Sequence, residues 1–139
     1  MKYTLILFFT LLCLFSYSQD KQTVNYDDLV NKDGLMYYNE DAKPYSGKCV
    51  TSHNGGGIGM GGFYKAGKKH GDWVWWYKNG EKQRYSVYVN GRKNGKCIYW
   101  YKNGIKKCEI TFYDNQNIRQ TSWDNKGNPM KNPSFSSYK

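Results

Sequence analysis

The chain has 139 residues, which is the size of a single domain. Lys and Arg number 21 against 11 Asp and Glu, so the net charge is +10, and aromatic residues make up 18% of the sequence. The sequence has no second apolar run, which argues against a membrane channel, and its composition fits neither a coiled coil nor collagen. The 14 Tyr and 5 Trp, with only 3 Pro, argue against wholesale disorder.

The first 18 residues have the pattern of a signal peptide. Lys2 precedes an apolar run of 13 residues, 3–15, which is shorter than the roughly 20 residues that a membrane-spanning helix needs. Ser16 and Ser18 supply the small residues that a signal peptidase reads. We therefore expect cleavage before Gln19 and an exported protein that is periplasmic, bound to the cell surface or secreted.

Three cysteines remain after the predicted cleavage, Cys49, Cys97 and Cys108, and an odd number leaves at least one unpaired. No Cys-x-x-Cys motif is present, so neither a redox motif nor a zinc ribbon is supported. We expect structural thiols, with Cys97 and Cys108 lying diagonally on one hairpin and Cys49 too far from Cys97 to pair.

The strongest signal is a repeat of 24 residues. Tyr64–Gly80 and Tyr88–Gly104 share their aromatic, Gly and Tyr-Lys-Asn-Gly landmarks at this spacing, and weaker copies precede and follow them. The region before Tyr64 contains Gly57-Ile-Gly-Met-Gly-Gly62, which matches a dinucleotide fingerprint by letter. Its position in the repeat favours a degenerate return strand or a flexible loop.

Each repeat is predicted to be a β-hairpin, because its aromatic and β-branched runs are interrupted by Asn-Gly. We expect type I′ turns at Asn79-Gly80 and Asn103-Gly104, and further turns at 67–71 and 91–95. The predicted strands are Trp73–Tyr77, Lys82–Val89, Cys97–Tyr101 and Lys106–Tyr113. The fold class is all-β: an elongated antiparallel meander of hairpins, with a leader at 19–36, repeats at 37–127 and a flexible tail at 128–139.

These landmarks resemble the MORN-repeat-variant family, which is often labelled as YwqK-type antitoxins. The resemblance rests on Gly67-Lys-Lys-His-Gly-Asp-Trp73 followed by Trp76-Tyr-Lys-Asn-Gly80, and on the leader from Asp27 to Tyr38. It covers about residues 27–127 and implies an array of β-hairpins that binds other macromolecules or membranes. The family offers no catalytic residues. An exported antitoxin of this kind would act as an immunity protein against a periplasmic or surface toxin.

The excess positive charge is confined to residues 64–108, which hold 12 Lys and Arg against Asp72 and Glu81. The repeat places equivalent cations at the same position of successive hairpins. With two-residue turns, Tyr77 would face Lys82, Trp75 would face Arg84, and Tyr101 would face Lys106, which gives cross-strand cation–π pairs. The candidate binding residues are Lys68, Lys69, Trp75, Tyr77, Lys82, Arg84, Arg92, Lys93, Tyr101 and Lys106.

Two interpretations of this surface compete. In the first, a basic aromatic face binds an anionic glycan, lipid headgroups at a membrane surface, or an acidic protein. In the second, the lysine stems only cover aromatic rings and keep the sheet soluble. Trp73, Trp76 and Trp100 are expected to be packing residues. The expected function is therefore non-enzymatic binding, with antitoxin or immunity activity as the alternative.

No catalytic, metal or cofactor site is predicted. His53 and His70 lack the spacing of a metal site, and Asp27-Asp28 has no partner acid placed opposite. We expect no cofactor. Export makes nucleic acid an unexpected ligand despite the positive charge, and the sequence sets no oligomeric state.

Overall fold

A computed structural model of the protein describes residues 23–39 and 41–131, and this part of the chain is all-β, as predicted. One short 3-10 turn, Tyr26–Asp28, interrupts the strands. The predicted signal peptide, residues 1–18, lies outside the described residues. The strands are β1 Val24–Asn25, β2 Leu29–Lys32, β3 Leu35–Tyr38, β4 Gly47–Ser52, β5 Ile58–Lys65, β6 Lys68–Trp76, β7 Lys82–Val89, β8 Arg92–Trp100, β9 Lys106–Tyr113, β10 Gln116–Trp123 and β11 Pro129–Met130.

Nine strands form one open sheet in the order β1-β4-β5-β6-β7-β8-β9-β10-β11, and β2 and β3 form a separate hairpin. From β4 to β11 every neighbour in space is the neighbour in sequence, and the pairing is antiparallel, which confirms the predicted meander. The exception is β1, which runs parallel to β4. The leader therefore contributes one edge strand to the sheet of repeats.

Type I′ turns are predicted at Asn79-Gly80 and Asn103-Gly104, but in the structure they lie at the other ends of the strands that these loops connect. Asn90 and Gly91 both have positive φ, 49° and 84°, and Val89 pairs with Arg92 across them. Two positive φ angles and a two-residue loop define the type I′ turn. The same geometry occurs at Ala66-Gly67 and at Asp114-Asn115. The predicted turns at 67–71 and 91–95 are wrong beyond their first residue, because the rest of each segment belongs to β6 or β8.

The Asn-Gly pairs form a different turn. Gly80 has a φ of 84°, but Asn79 is absent from the residues with positive φ. The Gly80 amide donates to the Tyr77 carbonyl at 2.9 Å, and the Tyr77 amide donates to the Glu81 carbonyl at 2.8 Å. This is a three-residue loop that ends in a glycine bulge. The predicted two-residue turn is therefore wrong, and the same pattern recurs at residues 101–105 and 124–128.

The core lies on one face of the sheet, around Trp73, which is fully buried. The Trp73 ring lies against Gly62, where an added Cβ would come within 2.2 Å of Trp73 Cδ2. Its indole N–H donates to the Phe63 carbonyl at 3.1 Å, and its ring meets that of Tyr64 edge-on. The segment 57–62 is thus mostly strand, and Gly62 makes room for the indole.

The leader packs over this core and is held at the Ala66-Gly67 turn. The Met36 amide donates to the Gly67 carbonyl at 3.0 Å, and the Gly67 amide donates to the Tyr45 carbonyl at 2.7 Å. Leu29 and Met36 are buried in the same cluster as Trp73. The expected boundary between leader and repeats, after residue 36, falls inside β3.

The C-terminal segment begins as a strand. Pro129 and Met130 form β11 and pair with Trp123 and Ser122 of β10. Both residues lie within the segment 128–139 that the sequence assigns to a flexible tail. Residues 132–139 of that tail lie outside the described residues.

Candidate functional site

The register of the sheet places two of the candidate residues, Trp75 and Arg84, in one cross-strand row. Trp75, Arg84, Tyr99 and Cys108 are successive Cα partners across β6, β7, β8 and β9. Directly opposed residues of neighbouring strands point to the same side of a sheet. This row continues the side that carries Trp73, and we call that side the tryptophan face. Trp76 and Trp100, one residue further on, point to the opposite face.

Cations of the tryptophan face lie on aromatic rings. The Arg84 guanidinium carbon is 3.5 Å from the centroid of the Trp75 ring. Lys69 Nζ lies 4.4 Å from the Trp73 centroid and 5.2 Å from that of Trp75. Lys93 Nζ lies 4.8 Å from the centroid of the Phe112 ring. Contacts of this kind contribute about 0.5–1 kcal/mol each at exposed sites.

These cations form a like-charge cluster. Burial, and secondly the positive charge of Arg84, hold the pKa of Lys69 below its ordinary value, and Lys93 acts in the same direction. Across the described ranges 23–39 and 41–131, the ion pairs involve other cations, Arg92, Lys96 and Lys106, with Asp114 and Glu109. Lys69, Arg84 and Lys93 thus carry positive charge close together with no paired carboxylate in the part of the chain that the structure describes.

The predicted cross-strand pairs are confirmed in one case and wrong in two. Trp75 pairs with Arg84, as expected. Lys82 pairs with Trp76, and Lys106 with Trp100, because the loop has three residues instead of two and moves the register by one residue. The bulge at Gln83 then restores the pairing of Trp75 with Arg84.

Tyr77 and Tyr101 make cross-repeat contacts. The Tyr77 hydroxyl donates to the Trp100 carbonyl at 2.8 Å, and the Tyr101 hydroxyl donates to the Trp123 carbonyl at 3.0 Å. These hydrogen bonds join successive repeats.

The predicted lysines and arginines do not form a uniformly positive surface, because two of them form ion pairs with carboxylates. Arg92 pairs with Asp114, and Lys106 donates to Glu109 at 2.8 Å. The Lys106 hydrogen bond is the main cause that holds the pKa of Glu109 below its ordinary value. Both carboxylates lie downstream of the basic block. Part of the predicted charge is therefore neutralised within the fold, while Lys82 is exposed.

A groove opens on the tryptophan face between the two well-matched repeats. Its volume is about 330 Å³, and it is lined by Trp75, Tyr77, Gln83, Arg84, Tyr99, Trp100 and Lys107. Four of these, Gln83, Tyr99, Trp100 and Lys107, were missed as binding residues. Gln83 and Lys107 are the unpaired residues of the two bulges, 24 positions apart, so the repeat and the turn type together could have identified them.

A second groove brings together Lys68, Lys69 and Arg92 beside the leader hairpin. Its volume is about 400 Å³, and Tyr26, Tyr64 and the Asn90-Gly91 turn complete its wall. Six of the ten predicted residues therefore line two separate grooves. Lys68, Lys69 and Arg92 line the one at the type I′ turns, and Trp75, Tyr77 and Arg84 line the other.

His53 has a structural hydrogen bond, and two of the three described cysteines are fully buried. His53 Nε2 donates to the Trp76 carbonyl at 3.0 Å, at the position equivalent to Tyr77. Cys49 and Cys97 are fully buried, and all three described cysteines are free thiols. Cys97 and Cys108 are diagonal neighbours, as predicted, because Cys108 pairs with Tyr99.

The described residues contain neither a metal site nor a membrane-spanning helix. Within residues 23–39 and 41–131, no group of His, Cys, Asp and Glu is placed to hold a metal ion. In the same part of the chain, no helix is long and apolar enough to cross a membrane.

Comparison with known proteins gives no further assignment. No protein-family model matches the chain, and no curated protein or solved structure matches it significantly.

Proposed function

We propose that the protein is a non-enzymatic, exported repeat module that binds an anionic macromolecule through the tryptophan face. The observation that carries this proposal is the cluster of Lys69, Arg84 and Lys93, which lie on aromatic rings and have no carboxylate partner among the described residues. Glycans, lipid headgroups and acidic proteins of the cell envelope are the ligand classes with the required charge.

The positive charges of Lys69, Arg84 and Lys93 have no compensating carboxylate among the described residues. Burial penalises the charged form of Lys69, and two neighbouring cations add to the penalty. An anion on this face would offset this penalty, since opposite charge within about 4–6 Å favours the charged form. Elsewhere in the described sheet, Glu109 and Asp114 fulfil this role for Lys106 and Arg92. The tryptophan face lacks such a group, and a ligand would supply it.

The competing interpretation assigns the cations a structural role, in which their stems shield aromatic rings from water. Matched charge reversals separate the two. The face variant carries Arg84→Glu, Lys93→Glu and Lys107→Glu, and the control variant carries Lys65→Glu, Lys78→Glu and Lys102→Glu at exposed positions. Both variants have the same net charge. Circular dichroism and the thermal midpoint establish that each is folded.

Retention on a dextran sulfate column is the measurement. We expect the control variant to elute slightly earlier than the unmodified protein, because net charge falls, and the face variant to elute at much lower salt. Equal elution of the two variants would contradict a defined binding face and would leave the structural interpretation.

Immunity against a toxin is the second candidate, and apolar side chains near the last strands support a protein partner. Tyr113 is 65% exposed and Ile118 is 62% exposed. Exposed apolar residues of this size are enriched in protein interfaces when they cluster. Recovery of a stoichiometric partner from the native envelope, with loss on Tyr113→Ser and Ile118→Ser, would support this function. Recovery unchanged by those substitutions would contradict it.

A further inference from the structure

We propose that the groove between the two well-matched repeats binds an acidic sugar unit of a uronate-containing polysaccharide. This inference rests on the proposed function and narrows it to one ligand class. It depends on the shape of the groove, on the fixed guanidinium of Arg84, and on the two bulges that direct side chains into it.

The groove combines the three kinds of group that an acidic sugar requires. Trp75, Tyr77 and Tyr99 supply aromatic walls, Gln83 supplies a neutral amide, and Arg84 and Lys107 supply positive charge. The C–H faces of a pyranose ring pack on aromatic rings, an amide serves hydroxyl groups, and a guanidinium serves a carboxylate. Its volume of about 330 Å³ lies at the lower end of the range for ligand pockets.

Arg84 is held in position before any ligand arrives. Its guanidinium stacks on the Trp75 ring at 3.5 Å, and its half-buried stem lies between Trp75 and Tyr99 in the cross-strand row. Its Nε–H is buried and has no acceptor among the described residues. A planar guanidinium fixed in this way matches a carboxylate better than the mobile ammonium of lysine does.

The bulges explain why this groove has polar groups at its rim. Trp75 pairs with Arg84 while Trp76 pairs with Lys82, so Gln83 is the extra residue of its strand. Lys107 holds the equivalent place in the next repeat. A bulge redirects the side chain of its extra residue, and here both extra residues line the same groove. Two successive repeats thus build one site, with a single arginine between them.

The aromatic walls favour a sugar over the other anions. Charge alone would serve an acidic peptide or a phospholipid headgroup, and neither needs a wall of rings next to an amide. The side chains of Trp75, Tyr77 and Tyr99 line the groove together with the cations, and all three are half-buried and therefore fixed by packing. Rigid rings provide contact area at low cost in conformational entropy.

The experiment measures binding of the full chain to four probes by titration calorimetry: polygalacturonate, polyglutamate, neutral dextran and anionic phosphatidylglycerol vesicles. We expect polygalacturonate to bind more tightly than polyglutamate, and dextran not to bind. Arg84→Gln should weaken polygalacturonate binding about tenfold or more, since it removes a hydrogen bond between charged groups. Tyr99→Leu should weaken polygalacturonate binding and leave polyglutamate binding unchanged.

Lys107→Gln tests the same groove at an exposed position, so the test still applies if Arg84→Gln does not fold. Lys102→Gln, on the neighbouring turn, is its matched control. A loss of binding with Lys107→Gln and none with Lys102→Gln supports the site. Equal binding of polygalacturonate and polyglutamate, or binding to vesicles alone, overturns the sugar assignment and leaves the proposed anion-binding function standing. Absence of binding to all three anionic probes overturns both.

Discussion

Substitution of Gly62 by Ala tests whether the fold depends on the burial of Trp73. The added Cβ would lie 2.2 Å from Trp73 Cδ2 and 2.4 Å from Cε2. Carbon atoms at their optimal separation lie about 3.5–4.0 Å apart. The indole would have to move by more than an ångström. It has no room to do so, because it is fully buried between Tyr64 and Tyr88.

The expected cost follows from two opposing terms. Overpacking a buried site costs about 1–3 kcal/mol, and a contact with a rigid ring belongs at the upper end. Replacing Gly by Ala in a strand returns about 0.5–1 kcal/mol through the entropy of the unfolded chain. We therefore expect Gly62→Ala to lower the free energy of unfolding by about 2 kcal/mol, which corresponds to a fall of about 10 °C in Tm.

Gly61→Ala is the matched control, one residue away on the opposite face. The nearest atom to its added Cβ is Val50 Cγ1 at 3.5 Å, which is ordinary contact. We expect this variant to equal or slightly exceed the unmodified protein in stability. Urea unfolding followed by tryptophan fluorescence measures both variants. Equal midpoints for Gly62→Ala and Gly61→Ala would refute the assigned packing of Trp73.

Three further predictions concern pH, thiol reactivity and the contact between repeats. Glu109→Gln should cost about 0.5 kcal/mol at neutral pH, the size of a partly exposed ion pair. Because the folded pKa of Glu109 lies below its ordinary 4.5, this difference should vanish in urea titrations as the pH falls through that region. Iodoacetamide should modify half-buried Cys108 before Cys49, because burial raises the pKa of the Cys49 thiol to about 11, and peptide mass spectrometry reads each site. Tyr101→Phe removes the hydrogen bond to the Trp123 carbonyl and should cost about 1 kcal/mol, with faster amide exchange in β10.

Each of these has an outcome that would contradict it. A stability difference for Glu109→Gln that persists at low pH would mean that packing, and not charge, stabilises the site. Modification of Cys49 at the rate of Cys108 in the native protein would contradict its burial. Unchanged exchange in β10 for Tyr101→Phe would show that the strand pairing alone holds the last repeat.

The sequence by itself determined the elements that depend on local chemistry and on the repeat. The period of 24 residues predicted a hairpin array, and the return strands Lys82–Val89 and Lys106–Tyr113 have the predicted bounds. β-Branched and aromatic runs favour strands wherever they occur, and glycine marks the turns that need positive φ. The diagonal placement of Cys97 and Cys108 followed from the same local geometry.

Tertiary structure decided which turn each glycine forms, which face each cation occupies and which of them is neutralised. The type I′ turn lies at Asn90-Gly91 instead of Asn79-Gly80. The three-residue loop at 78–80 shifts Lys82 from Tyr77 to Trp76, and the bulge at Gln83 then restores the pairing of Trp75 with Arg84. One extra residue in a strand changes the register of the strand beyond it, since side chains alternate between faces. Such shifts, like the approach of Glu109 to Lys106 and Lys96, depend on contacts between strands and not on any single segment.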